Sequence, residues 1–176
     1  CLGSAAGANV NPGPAPERGR GQTMTTRPAV PLSRAHELIG QQLFQTDWLP
    51  VGREQLDAFD FAIGAVPGQS DLSISQANPL GADLINGIWL LARAVTVFFD
   101  HGPIREPGLW GFNYGYEKVR FLSPVFIGGR VRYRAVLDDV RDHPQGRLIV
   151  TTNTVEFEGA SKPAAVFTSL ALCSTK

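Results

Sequence analysis

Small and polar residues stand where a long apolar segment of this chain begins. The stretch Asn78–Val95 reads NPLGADLINGIWLLARAV, with Gly81, Asp83, Asn86 and Gly87 ahead of its apolar part. The first N–H groups of a helix have no intrahelical acceptor and lie at the positive end of the helix dipole. Such a helix start can bind a carbonyl or anionic oxygen, so this stretch favours a binding role for the front end of a helix.

Two carboxylates and two amides near this segment could take part in chemistry. Either Asp71 or Asp83 could act as a base on the α- or γ-proton of a thioester or ketone. Both also fit structural roles, because a carboxylate in the first turn of a helix is stabilised by the dipole and an aspartate in a Gly- and Ser-rich loop forms turn bonds. Gln69 and Asn86 could bind a carbonyl, although loop and capping roles remain open for them. Gln69 cannot accept a proton at neutral pH.

The composition excludes several classes of partner and site. The chain has 176 residues, a length sufficient for one domain with a core. Its formal net charge is zero, and 18% of its residues are charged. A neutral surface argues against nucleic-acid or anionic-membrane partners, and no run of about 20 apolar residues predicts a membrane span. The cysteines, Cys1 and Cys173, have no metal-ligand spacing. We therefore expect a cytoplasmic protein with no metal and no cofactor, and with Cys173 buried in a last strand.

Hydrophobic periodicity predicts how these residues are positioned. Residues 1–31 are Gly-, Ala- and Pro-rich and are expected to form a disordered tail or extension, followed by a single domain over residues 32–176. A short helix is predicted to end at Gly64, and a long one near His101–Gly102. The apolar stripe of the long helix consists of Leu84, Ile88, Leu91, Val95 and Phe98.

From Trp110 onward the apolar pattern changes to period two. Long strands are predicted for WGFNYGYEKVRF, RVRYRAVLDDV, RLIVTTNTVEFEG and AAVFTSLALC. Tyr114 and Tyr116 flank Gly115, so they are predicted to share one face of a strand, where one of them could line a pocket or serve the core or a dimer contact. One long helix followed by an antiparallel meander indicates an α+β fold in which a sheet wraps around a central helix.

These strand sequences resemble the MaoC-like hydratases and dehydratases, in particular their nodulation-protein-N-like branch of (R)-specific enzymes. Residues 113–121 fit the family pattern N-Y-G-x-x-K-V-R-F, residues 124–132 fit P-V-x-x-G-x-x-V-R, and residues 156–164 fit E-x-E-G-x-x-K-P-A. The resemblance covers roughly residues 32–173 and implies a hotdog fold. It also implies that the N–H of Gly87 donates to a thioester oxygen, with Asn86 where the family has His.

The sequence departs from the family at the groups that move protons. The family motif G-D-x-x-x-x-H-x-D supplies an Asp and a His that act on a water and an enoyl thioester. Here the Asp falls on Ala65 or Val66 and the His on Gln69 or Ser70, while the following Asp survives as Asp71. Each acid–base group contributes roughly 10²–10⁴ in rate, so ordinary hydration is not expected.

Two hypotheses from different classes follow. The first is an enzyme related to the enoyl-CoA hydratases that acts by lyase, isomerase or cyclase chemistry on an acyl-CoA, a carrier-bound acyl chain or a similar apolar carbonyl compound. Thioester hydrolysis is a subordinate variant. The second is a non-catalytic partner subunit of a heteromeric hydratase. Both expect a homodimer or a heterodimer with another hotdog chain, because an open sheet edge invites pairing. The candidate catalytic residues are Asp71, Gln69 and Asp83, and the candidate substrate-binding residues are Gly87, Asn86 and Tyr114.

Overall fold

An antiparallel sheet and one long helix are the main elements of the fold. The computed structural model describes residues 28–65, 79–81 and 83–175. The elements in chain order are a 3-10 helix Leu32–Leu38, β1 Gln42–Gln45, β2 Leu49–Pro50, α1 Arg53–Ala62, α2 Gly87–His101, β3 Trp110–Phe121, β4 Arg130–His143, β5 Gly146–Phe157 and β6 Ala165–Ser174.

The strands form one antiparallel sheet with β3 at its edge. The order within the described residues is β1-β4-β5-β6-β3, and β2 also pairs with β4. β3, β4, β5 and β6 confirm the strands predicted from period-two alternation. β-branched and aromatic residues fit a pleated surface with one buried face, which is why the pattern was readable.

Helix α2 packs on one face of this sheet and fills the core. Tyr133 of β4 and Phe167 of β6 are almost completely buried on this face, as are Leu90 and Leu91 of the helix. The hydroxyl of Tyr133 donates to the Leu90 carbonyl at 3.2 Å. The hydrogen bond fixes the helix on the sheet, so the predicted arrangement of a sheet around a central helix is confirmed.

The start of α2 differs from the prediction. The apolar stripe placed Leu84 in the helix, but the helix begins at Gly87. Leu84 forms an antiparallel bridge with Phe126, and the Ile85 N–H donates to the Val125 carbonyl at 3.0 Å. The apolar stripe predicted a helix start that is too early, because an extended residue and a helical residue can both bury an apolar side chain in the same core. Only the hydrogen-bond partners separate the two states.

The ends of the described chain are tied into the fold. Val30 pairs with Ile104 in a parallel bridge, so packing extends two residues before the predicted start at residue 32. Cys173 is buried in β6 as predicted, and burial raises the pKa of its thiol to about 11.

No helix within the described residues has the length and apolarity to cross a membrane. The same residues contain no cluster of three or more His, Cys, Asp or Glu side chains suited to a metal ion.

Candidate functional site

Asn86 caps the helix that carries the candidate site. Its side-chain oxygen accepts from the Ile88 N–H at 3.0 Å, and its carbonyl accepts from the Trp89 N–H at 3.0 Å. Its backbone is extended, as a capping residue requires, and the residue is buried. Of the two roles that the sequence left open for Asn86, the capping role is the one seen. The side-chain oxygen is therefore occupied, and its amide N–H group is the part left to meet a ligand.

Gly87 is the first residue of α2, so its N–H has no acceptor within the helix. The carbonyl one turn earlier, that of Asp83, accepts from the Ile127 N–H at 2.9 Å. The ring of Phe121 lies against the glycine, since a Cβ at residue 87 would come within 2.9 Å of two ring carbons. The N–H of Gly87 is thus a donor at the positive end of the helix dipole, beside an aromatic ring.

A short ladder holds this helix start in place. Residues 83–85 run antiparallel to residues 125–127, joined by the Leu84–Phe126 bridge and by backbone hydrogen bonds at both ends. Residues 125–127 belong to the segment that resembles the family pattern P-V-x-x-G. The ladder therefore links the sequence pattern in the strand region to the candidate site on the helix, because this segment fixes where the helix begins.

Asp83 lies ahead of α2 and not in its first turn, which corrects the sequence expectation. Its carboxylate pairs with the Arg53 guanidinium at 2.5 Å, and both side chains are more than half exposed. The pair connects the start of α1 to the approach of α2.

The loop that carries the other candidates lies mostly outside the described residues. Asp71 and Gln69 fall there, so their roles stay predictions. Ala65, one of the two residues that fall at the family's catalytic Asp, is described, and its N–H donates to the Asp60 carbonyl at 2.8 Å. A methyl group cannot exchange a proton, so this position supplies no acid or base.

Asp60 is a carboxylate that the sequence did not single out. Its Oδ1 is buried and has no hydrogen-bond partner in the described part of the chain. Burial, and secondarily the charge of Asp57, raise the pKa of Asp60. Sequence spacing gave no signal for it, because it lies on a helix between two positions of an ordinary apolar face.

Tyr114 and Tyr116 do not share a face, contrary to the prediction. The β3–β6 register shifts between Asn113 and Gly115, which adds one residue to β3 and reverses the alternation. The Tyr114 ring packs edge-on to His143 with ring centroids 5.5 Å apart. The Tyr116 hydroxyl instead donates to the Leu91 carbonyl of α2 at 2.9 Å. Tyr116, and not the predicted Tyr114, is the tyrosine that contacts the site helix.

Large apolar side chains lie at the helix start. Ile88 follows Gly87 in the helix and is 50% exposed, and Phe121, which contacts Gly87, is 47% exposed. Exposed apolar groups around a polar donor are typical of a small-molecule site or of a contact with another protein chain. The geometry therefore offers a backbone donor for a carbonyl oxygen and apolar walls for the group attached to it.

Two curated proteins resemble the chain over most of its length. It is 32% identical over 142 residues to nodulation protein N of Rhizobium meliloti, covering 77% of this chain and 86% of that protein. It is 33% identical over 133 residues to 3-hydroxyacyl-thioester dehydratase Z of Mycobacterium tuberculosis, covering 74% of this chain and 87% of that protein. No protein-family model matches the sequence.

Solved structures share the fold at lower identity. The (R)-hydratase of A. caviae involved in PHA biosynthesis superposes with a TM-score of 0.57 at 14% identity, covering 76% of this chain and 95% of that one. The C-terminally truncated HadBC (3R-hydroxyacyl-ACP dehydratase) complex of Mycobacterium tuberculosis gives a TM-score of 0.52 at 22% identity, covering 76% and 96%. With the strand motifs, the capped central helix and the two curated relatives, the chain belongs to the MaoC-like hydratase and dehydratase family, in its nodulation-protein-N-like branch, and has the hotdog fold.

Proposed function

We propose that this protein binds an acyl thioester, carried by CoA or by a carrier protein, with the thioester oxygen at the N–H of Gly87. The observation that carries the proposal is the position of Gly87 as the first residue of α2, where its N–H has no acceptor in the helix. A preorganised donor at a helix start stabilises the negative charge that develops on a thioester oxygen when an enolate forms.

The acid–base chemistry at this site is altered relative to the family's hydration reaction. Ala65 or Val66 stands where the family has its catalytic Asp, and a donor alone cannot move a proton. The candidate bases are Asp83, which precedes the helix start, and Asp71, with Gln69 as a group that would orient a water or a carbonyl. The proposed activity is therefore a lyase, isomerase or cyclase reaction of the acyl group. Hydrolysis of the thioester through one of the carboxylates is a subordinate variant of the enzyme.

The second candidate function is that of a non-catalytic partner subunit. β3 is the edge of the sheet in the described residues, and the side chains of Trp110, Phe112 and Tyr114 on it are each more than 40% exposed. An edge strand with apolar side chains pairs readily with another chain. The HadBC dehydratase, a relative in fold, was solved as a complex. The missing acid–base pair favours a partner chain that supplies it, and the proposed partner is a second hotdog chain, identical or different.

The Gly87 donor can be tested with a pair of variants that differ in one hydrogen-bonding group. Gly87→Pro removes the N–H, and proline is accepted at the first position of a helix. Asn86 already has the extended backbone, ψ 117°, that a residue before proline needs. Gly87→Ala adds a similar Cβ contact with Phe121 but keeps the N–H, so it is the matched control. Binding of butyryl-CoA is measured by isothermal titration calorimetry, with circular dichroism to check the fold.

The proposal expects Gly87→Pro to bind roughly two- to tenfold more weakly than Gly87→Ala, since a hydrogen bond to the neutral thioester oxygen contributes about 0.5–1.5 kcal/mol. Equal affinities in the two folded variants would refute the donor.

Measuring turnover distinguishes the enzyme from the non-catalytic partner subunit. A purified chain that converts enoyl-CoA or hydroxyacyl-CoA esters supports the enzyme, and turnover that appears only with an added hotdog chain that carries the Asp/His pair supports the partner subunit.

A further inference from the structure

A small cavity lies between α2 and the edge of the sheet, behind the helix start. It is partly open to solvent and has a volume of about 20 Å³, roughly the space of one water molecule. Its walls come from the second half of α2 and from β3 and β6. The lining residues are Ala94, Val95, Phe98, Phe99, Asn113, Tyr116, Ser169 and Ala171.

Tyr116 marks the end of this cavity on the side of Gly87. On α2 the lining begins at Ala94, and on β3 it ends at Tyr116, so no lining residue lies between Tyr116 and Phe121. Phe121 is the residue of β3 that touches Gly87. Helix and strand therefore run side by side, with the helix start at one end and the cavity at the other.

Two contacts hold the Tyr116 side chain between the helix and the sheet. Its hydroxyl donates to the Leu91 carbonyl at 2.9 Å, and its ring packs edge-on against Phe167 with centroids 5.5 Å apart. Burial raises the pKa of the phenol, so the hydroxyl keeps its proton for this bond at neutral pH. A ring anchored at both ends is a fixed wall and not a mobile surface group.

We propose that Tyr116 limits the length of the acyl chain by closing the path from Gly87 to the cavity behind it. The inference depends on the proposed thioester site. Leu91 lies one helical turn beyond Gly87, a rise of about 6 Å, which an extended chain of about six carbons spans. A longer chain meets the Tyr116 ring. Replacing the ring by a small side chain joins the cavity to the site and admits about four further carbons.

The test compares the chain-length dependence of binding in the native protein with that in four single variants and one double variant. Saturated acyl-CoA esters from butyryl-CoA to dodecanoyl-CoA are titrated by calorimetry, because saturated esters bind without needing turnover. Tyr116→Val removes the ring with a residue that suits a strand. Tyr116→Phe removes only the hydroxyl. Tyr133→Phe is the matched control, since Tyr133 also bonds a carbonyl of α2, that of Leu90, but does not line the cavity.

A fourth variant tests whether a gain in long-chain binding depends on the cavity. Ala94→Val fills the cavity from the helix side. In the native background it should leave binding of every ester unchanged, because the proposal keeps ligands out of the cavity. Combined with Tyr116→Val, it should abolish the gain for long chains.

In the native protein affinity should rise with chain length to about six carbons and then stay level or fall. In Tyr116→Val it should keep rising to about ten carbons, by up to about fourfold for each methylene group buried. Tyr116→Phe and Tyr133→Phe should keep the native profile. The inference is overturned if the native protein already gains affinity from six to ten carbons, if folded Tyr116→Val keeps the native profile, or if Ala94→Val alone weakens long-chain binding. Absence of binding for every ester to the native protein would instead refute the thioester site itself, and this inference with it.

Discussion

The ring of Phe121 lies against the backbone of Gly87, where an added Cβ would come within 2.9 Å of two ring carbons and 3.2 Å of a third. The third atom, Cγ, is the ring carbon nearest the backbone, so a small swing of the ring tip does not relieve the contact. The glycine thus has a packing reason beside its proposed role as a hydrogen-bond donor. Phe121 belongs to the strand pattern that the sequence revealed, but its contact with the helix start did not follow from that pattern.

The Phe121 contact predicts a change of sign in a double-mutant cycle. Gly87→Ala alone should lower the free energy of unfolding by about 1 kcal/mol, because overpacking outweighs the gain in helix propensity. In a Phe121→Ala background the same change should raise it by about 0.5–1 kcal/mol. Urea unfolding of the four proteins measures the coupling. Equal effects of Gly87→Ala in both backgrounds would show that the ring moves aside at no cost.

The Asn86 cap should contribute measurably to stability. Asn86→Ala removes the acceptor of the Ile88 N–H and should cost about 0.5–2 kcal/mol in urea unfolding. Asn86→Asp keeps the acceptor and adds a charge that the helix start favours, so it should retain most of that stability. A loss in the aspartate variant as large as in the alanine variant would argue that the amide N–H group, and not the capping oxygen, is what matters.

The Arg53–Asp83 pair separates a structural carboxylate from a catalytic one. Arg53→Gln and Asp83→Asn both break the ion pair, and each should change the free energy of unfolding by less than about 1 kcal/mol because both side chains are largely exposed. If Asp83 is the base, only Asp83→Asn should lower turnover, by roughly 10²–10⁴. Equal turnover in the two variants would remove Asp83 from the list of bases.

The buried thiol predicts a loss of stability in alkali. Burial raises the pKa of Cys173 to about 11, whereas an exposed thiol titrates at about 8.5. Between these values the unfolded chain releases a proton that the folded chain keeps, so the free energy of unfolding falls as pH rises. Below about pH 8.5 both states hold the proton and this dependence vanishes. Cys173→Ala should flatten the decline by an amount on the order of 2 kcal/mol at pH 11, measured by urea unfolding from pH 7 to 11.

Single substitutions in a buried polar cluster of the sheet should lower the free energy of unfolding. The Asn153 amide donates to the Thr151 hydroxyl at 3.0 Å and to the Ser169 hydroxyl at 2.9 Å, and these two hydroxyls bond each other at 2.7 Å. Asn153→Ala should lower the free energy of unfolding by about 1–3 kcal/mol, because it removes the donor from two acceptors. Thr152→Ala, on the opposite face of the same strand, serves as the comparison and should cost less than about 1 kcal/mol. A reversed order of the two effects would contradict the assigned network.

The sequence by itself determined the strands and the type of fold. Alternation of apolar and polar residues has a period that only a strand satisfies, and β3 begins and ends at the residues that the pattern indicated. The C-terminal end of α2 was also readable, because Gly102 and Pro103 close the helix after His101. The absence of a carboxylate at Ala65 needed no coordinates, since residue type alone excludes proton transfer there.

Only the tertiary structure decided which side chains meet. Leu84 fits a helical stripe in the sequence, but in the structure it pairs with Phe126 ahead of the helix. Asp83 therefore also lies ahead of the helix, where it forms an ion pair with Arg53. One added residue in β3 turned Tyr116 toward Leu91 and Tyr114 toward His143. The physical reason is common to these cases. Apolar periodicity reports whether a side chain is buried, whereas the hydrogen-bond register between distant segments decides what it is buried against.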